Sequence, residues 1–151
     1  MRKLSINSLL LSLSLACLPL VSHADTSAKS GTLRMPSKPF SASCSSGNFT
    51  GEYKGHYFDY GSSKSVYVKQ YKITKRNGQS GGNKANVNTT IANYMGSGSK
   101  TFKSPDSMKQ DGNWHDLNVS YHAPWASTQV LVEFIFDKSG SDPRCDARAN
   151  L

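Results

Sequence analysis

TQVLVEFIFDK, residues 128–138, gives the strongest strand signal in the chain. Branched and aromatic side chains occupy both faces of this segment when it is extended. A strand that is apolar on both faces needs cover on both, so it belongs inside a sheet rather than at an edge. The segment therefore predicts a central strand in a layered β structure.

Two segments upstream predict a β-hairpin. One face of residues 83–95 collects the apolar and β-branched side chains of Ala85, Val87, Thr89 and Ile91. Residues 65–75 place valine, tyrosine and isoleucine among lysines and end near Asn77-Gly78, a dipeptide whose turn needs positive φ angles. We expect these two strands to pair with each other.

Further strands are predicted at residues 113–122, 49–60 and 101–103. Alternation in the first of these points Leu117, Val119 and Tyr121 inward and Asp116, Asn118 and Ser120 outward. No window shows the apolar spacing of three and four residues that an amphipathic helix requires. Six or seven short strands separated by turns predict an all-β fold, an antiparallel β-sandwich or a partly open barrel.

The amino terminus has the three parts of a cleaved export signal. Residues 1–3 supply positive charge, residues 9–20 an apolar run, and residues 22–24 a small-x-small exit. The apolar run is too short and too rich in serine to span a bilayer, so no transmembrane segment is predicted. We expect a secreted or periplasmic protein, cleaved after Ala24.

One disulfide is predicted. Cleavage removes Cys17 with the signal and leaves Cys44 and Cys145. Thiols oxidise outside the cytoplasm, so an even pair of cysteines there indicates a bridge between them. Lipidation of Cys17 is disfavoured because the residues before it depart from the usual pattern.

Length and charge limit the choices further. Removing 24 of the 151 residues leaves 127, enough for one domain with a core. The predicted sandwich domain covers residues 44–146, with a flexible arm at residues 25–43 and a tail at residues 147–151. The net charge of +8 falls to +6 when the two basic residues of the signal leave. The remaining lysines are scattered, which disfavours nucleic acid as a partner and suits an anionic envelope or membrane surface.

Aromatic residues close to acids and bases give the main functional signal. Residues 52–61 read EYKGHYFDYG, Trp114 opens a predicted strand, and Trp125 lies in the loop after that strand. Aromatic rings stack on the C–H faces of sugars, while amides and carboxylates bind their hydroxyls. The predicted ligand-binding residues are Trp125, Trp114, Tyr57, Tyr60, Asp59 and Asp116. Trp125 follows a proline in a loop, and we expect it to be exposed.

Catalytic chemistry is represented only by separated residues. Glu133 is a carboxylate in the predicted central strand, and a ribonuclease-like site would pair it with His56 or His115. Lys69 or Arg76 would then hold the phosphate. Alternatively, Glu133 forms a cross-strand ion pair with a lysine on the neighbouring strand. The spacing of the histidines, acids and cysteines matches no metal motif, so neither a metal nor another cofactor is predicted.

These features favour a non-enzymatic binding protein that recognises carbohydrate or another component of the cell envelope through loop aromatics. A secreted toxin or effector that acts on membranes is the first alternative, because aromatic rings together with positive charge also suit contact with an anionic membrane. A small ribonuclease-like hydrolase built on Glu133 and an inhibitor of another enzyme are the remaining alternatives.

Overall fold

The computed structural model describes residues 35–151, and this part of the chain consists of strands and loops without a helix. The strands are β1 (Lys38–Ser46), β2 (Phe49–Asp59), β3 (Lys64–Lys75), β4 (Asn86–Asn93), β5 (Ser99–Phe102), β6 (His115–Ala123), β7 (Thr128–Ile135) and β8 (Arg144–Asn150). They form two antiparallel sheets of four strands, in the orders β1-β2-β3-β6 and β5-β4-β7-β8. The predicted all-β fold is confirmed, and the arrangement is that of a sandwich. The predicted export signal lies outside the described residues.

Alternation along the strands builds one core between the two sheets. Phe49 and Tyr53 of the first sheet and Phe134 of the second are fully buried there. The Tyr53 hydroxyl crosses the core and donates a hydrogen bond of 2.9 Å to the carbonyl of Val130, so its burial leaves no unpaired donor. The ring of Phe134 lies directly over Gly51, where an added Cβ would collide with it. This contact requires glycine at position 51.

The strand predicted to be central lies inside its sheet. β7 pairs with β4 on one side and β8 on the other. Val130, Val132 and Phe134 face the core, while Leu131 and Glu133 are half-buried on the outer face. The prediction from residues 128–138 is therefore confirmed.

The predicted hairpin between residues 65–75 and 83–95 is wrong. β3 pairs with β2 and β6, whereas β4 pairs with β5 and β7 in the other sheet. Asn77 and Gly78 do have positive φ angles, of 52° and 67°. Their turn starts a longer crossing between the sheets instead, because a turn fixes the local bend but not the partner of the strand.

The predicted arm and tail also need correction. Residues 38–43, assigned to the arm, form most of β1; Pro39 is compatible with this because β1 is an edge strand, where a missing N–H can point away from the ladder. Residues 147–150, assigned to the tail, belong to β8, and Ala147 is buried in the core. Both strands contain few apolar residues, because an edge strand needs few of them, and the sequence pattern therefore did not predict them.

The predicted disulfide joins Cys44 of β1 to Cys145 of β8. β1 is an edge of the first sheet and β8 is an edge of the second. The bond therefore closes one side of the sandwich and links the first strand of the fold to the last.

A buried glutamine ties together the loops at one end of the sandwich. The Gln110 amide nitrogen donates to the carbonyls of Gly82 and Asp137 at 3.0 and 2.9 Å. Its amide oxygen accepts a hydrogen bond of 3.1 Å from the Asp137 N–H. The loops that follow β3 and β7 and the loop that precedes β6 are thereby held together.

Replacing both Cys44 and Cys145 with serine should lower the free energy of unfolding by about 4–5 kcal/mol. The bridge spans 101 residues, and opening so large a loop returns conformational entropy to the unfolded chain. Urea unfolding followed by tryptophan fluorescence measures the loss. Wild-type protein kept under reducing conditions is the control and should unfold at the same urea concentration as the double variant. Equal stability of the oxidised protein and the variant would contradict the prediction.

Candidate ligand-binding groove

The outer face of the first sheet carries an open groove of about 1020 Å³. Every strand of this sheet contributes to its lining. One row of paired positions runs across the sheet through the groove, in the order Ser41, Lys54, Gln70 and Asp116. The groove therefore extends over all four strands of the sheet.

Shifts of strand register occur at the groove. Compared with the facing stretch of β2, β3 contains one extra residue, Lys69. Compared with the facing stretch of β3, β6 in turn contains one extra residue. Extra residues bend a strand and increase its twist. Asn118 of β6 has a φ of 52° at this point, a left-handed conformation that asparagine tolerates better than most residues. Lys69 and Asn118 both line the groove, so the bend in the sheet forms part of its wall.

Gly55 is the feature in the sequence that marks this bend. It lies at the first register shift, and a Cβ there would collide with the carbonyl oxygen of Tyr67 and the ring of Phe40. Glycine inside a strand often indicates a bulge or a close approach of two backbones.

Trp114 forms one end of the groove. It immediately precedes β6 and is 37% exposed. The Lys54 and Lys72 ammonium groups lie 4.0 and 4.9 Å from its ring centroid, within the range of cation–π attraction. Lys72 also forms an ion pair of 2.6 Å with Glu52. These contacts hold the ring in place while leaving part of it accessible.

A cluster of three half-buried aromatic side chains begins at the other end. His56 lines the groove and stacks on Tyr67, with ring centroids 5.0 Å apart and planes inclined by 14°. Phe58 meets both rings edge-on, at 5.7 and 6.0 Å. Sequence reasoning missed this cluster, although alternation along residues 52–61 places His56 and Phe58 on one face.

The charges in the groove are unequally matched. Glu52 is paired with Lys72, and Asp116 accepts a hydrogen bond of 3.2 Å from the Gln70 amide. Lys54 and Lys69 have no carboxylate within ion-pair distance among residues 35–151. The groove therefore presents two ammonium groups whose charge is not neutralised by a neighbouring acid.

The predicted binding residues do not form one site. Trp114 and Asp116 meet in the groove. Trp125, expected to be exposed, is half-buried: its ring lies against Gly98 and 6.1 Å from the ring of Tyr121. The expectation of exposure is wrong because Trp125 lies in the connection from β6 of the first sheet to β7 of the second, where its ring packs against the core. Tyr57 packs against the core.

The remaining two predicted binding residues lie at the far end of β2 from Trp114. The Asp59 carboxylate is bound by the ammonium groups of Lys38 and Lys64, at 3.1 and 3.0 Å. Tyr60 is 49% exposed, and its ring lies 6.0 Å from that of His122. Neither residue lines the groove.

The candidate catalytic residues are separated by the core. Glu133 lies on the outer face of the second sheet, where it accepts a hydrogen bond from Asn88 and lies 3.7 Å from the Arg144 guanidinium. His56 lies on the outer face of the first sheet. The geometry thus supports a cross-strand ion pair for Glu133, but its partner is Arg144 of β8 and not the expected lysine.

His115 pairs with a different carboxylate. Its Nε2 lies 2.7 Å from Asp111, and its ring lies 5.6 Å from that of Tyr71. The hydrogen bond with His115 is the main cause that lowers the pKa of Asp111 to about 2.

Within residues 35–151, no three potential metal ligands cluster, and no helix is long and apolar enough to cross a membrane.

Replacing Asp59 with asparagine should lower the free energy of unfolding at pH 7 by roughly 1–3 kcal/mol. The side chain of Lys64 is only 6% exposed, and its bond to Asp59 is the main cause that holds the pKa of Asp59 below its usual range. A lowered folded-state pKa stabilises the fold above the ordinary carboxyl value, and this contribution is lost progressively as the pH falls from about 4 towards the lowered pKa.

Urea unfolding at several pH values measures this effect. The difference between wild type and Asp59→Asn should shrink as the pH falls from about 5 to about 3. Asp106→Asn, which removes an exposed carboxylate that has no ion pair among the described residues, is the matched control and should show little effect. A deficit that stays constant over this pH range would show that the ion pair is not its source.

No family model matches this chain, and neither a curated protein nor a solved structure matches it.

Proposed function

We propose that the protein is a secreted or periplasmic binding protein that recognises carbohydrate of the cell envelope through the groove on its first sheet. The observation that carries the proposal is the open groove of about 1020 Å³, with aromatic side chains at both ends and polar side chains between them. The groove replaces the loop aromatics of the sequence-based hypothesis as the binding surface.

The spacing of the aromatic side chains suits an extended ligand. Glu52 is paired with Lys72, whose ammonium group lies against Trp114. His56 follows Glu52 by four residues on β2, so the two positions on this strand are about 13 Å apart. Aromatic rings offer stacking surfaces to the C–H faces of sugars. Between them, Ser41, Gln70 and Asn118 supply hydroxyl and amide groups. A polymer can lie along such an open groove, whereas a small molecule is usually enclosed in a deeper pocket.

The charge in the groove favours an acidic glycan. Both carboxylates of the groove already have partners, while Lys54 and Lys69 have no carboxylate partner within residues 35–151. Lysine acts as a compact positive charge that binds carboxylate, phosphate or sulfate groups. Sugars that carry such groups would therefore bind more tightly than neutral sugars.

The same contacts favour binding over catalysis. A glycosidase needs two acidic side chains, one of them able to give up a proton to the leaving group. In the groove, Glu52 is bound by Lys72 and Asp116 by Gln70, and both carboxylates serve to position neighbouring side chains.

Trp114→Ala should weaken binding of an acidic polysaccharide such as polygalacturonate by about tenfold. The change removes the exposed ring at one end of the groove, and stacking of that size is worth roughly 1–1.5 kcal/mol. Isothermal titration calorimetry measures the affinity. Tyr60→Ala removes a ring of similar exposure outside the groove and should leave affinity unchanged. Unchanged binding by Trp114→Ala would reject the groove as the site.

The double variant Lys54→Gln, Lys69→Gln should lose most of the preference for polygalacturonate over neutral dextran. Glutamine keeps much of the side-chain length but removes the charge, and the preference of the wild type should also weaken as salt is added. Lys103→Gln, an exposed lysine next to β5, is the control. If wild type binds neutral and acidic polysaccharides equally, the groove remains the proposed site but the acidic ligand is excluded.

A further inference from the structure

Exposed apolar side chains are concentrated at one end of the sandwich. Within residues 35–151, the exposed large hydrophobic residues are Met35, Tyr60, Tyr94, Met95 and Trp114. Trp114 belongs to the groove. Tyr60, Tyr94 and Met95 lie at the opposite end, as the strand register and the connecting loops establish.

The register connects these residues through two loops. Tyr60 lies in the turn that ends at Lys64, and Lys64 is paired with Ala123 at the end of β6. From there, residues 124–127 lead into β7, whose first residue Thr128 is paired with Asn93 at the end of β4. Tyr94 and Met95 follow immediately. We call Tyr60, Tyr94 and Met95 the apolar tip.

The apolar tip is held in an exposed position. Met95 is 74% exposed and Tyr94 is 48% exposed. Their loop is closed by a hydrogen bond of 2.9 Å from the Asn93 N–H to the Gly98 carbonyl, and Gly98 lies against the Trp125 ring. The Tyr94 N–H donates to the Ser127 carbonyl at 3.3 Å, which ties this loop to the neighbouring one. These bonds fix the backbone of the loop that carries the two exposed side chains.

The surroundings of the apolar tip are positively charged. Residues 60–63, 94–98 and 124–127 contain no acid. Asp59, at the end of β2 next to Tyr60, lies between Lys38 and Lys64. Lys100 adds an exposed ammonium group at the start of β5. This end of the protein therefore combines apolar side chains with an excess of positive charge.

We propose that the apolar tip docks onto the surface of an anionic lipid bilayer. Tyrosine has an apolar ring and a polar hydroxyl, a combination that favours the boundary between lipid and water. Lysines close to the surface gain energy from anionic headgroups. Separate side chains on loop tips do not provide the continuous apolar centre of a protein interface, whereas lipids can adapt to each of them. Bilayer docking at this end leaves the groove, on the outer face of the first sheet, open.

The test measures co-sedimentation of the protein with vesicles of equimolar phosphatidylcholine and phosphatidylglycerol, and with vesicles of phosphatidylcholine alone. Binding should be stronger to the anionic vesicles and should weaken as salt is added. The double variant Tyr94→Ser, Met95→Ser should bind about tenfold more weakly, because it removes two side chains that enter the boundary. Trp114→Ala, which removes an exposed ring at the other end, is the matched control and should bind like wild type.

Several outcomes would overturn the proposal. Absence of binding to anionic vesicles would do so, as would equal binding by wild type and the double variant, which would assign the contact to another part of the chain. Analytical ultracentrifugation covers the remaining possibility: a dimer that dissociates in the double variant would assign the apolar tip to a second copy of the protein. Far-ultraviolet circular dichroism and the unfolding midpoint establish that the variant keeps its fold. None of these outcomes for the apolar tip changes the proposal of a glycan site in the groove.

Discussion

Packing of the two sheets around Tyr53, Val130 and Phe134 commits one face of every long strand to the protein interior. Because side chains alternate along a strand, the opposite face of each strand is then left to solvent. Lys54 and Gln70 point into the groove because their neighbours Tyr53 and Tyr71 are required in the core. A shift of one residue in register would exchange the two sets, so the core determines the composition of the groove.

Local alternation explains which parts of the fold were predictable. The inward faces of residues 83–95 and 113–122 follow from counting in steps of two, and the central position of β7 follows from the apolar side chains on both of its faces. The disulfide follows from the number of cysteines left after removal of the signal. Strand pairing was harder, because Asn77-Gly78 determines a bend but not which strand β3 meets. Pro39 was read as an obstacle to pairing, although an edge strand tolerates it.

The groove could be predicted only in part. Trp114 and Asp116 were identified from residue type, and both line it. Its position depends on the register shifts at Lys69 and Asn118, and such shifts are invisible to a pattern that assumes strict alternation. The contacts of Trp114 with Lys54 and Lys72 join residues from different strands, so no sequence spacing contains them. Trp125 was misplaced because a loop position does not reveal what lies beneath the loop.

The left-handed Asn118 has a consequence for the protein at high concentration. β6 is an edge of the first sheet, and edge strands offer backbone groups to which another chain can add, a common start of amyloid growth. At Asn118 the run of extended backbone is interrupted, so an incoming strand cannot continue its hydrogen bonds past this residue. The irregularity that shapes the groove therefore also discourages fibril formation at this edge of the sheet.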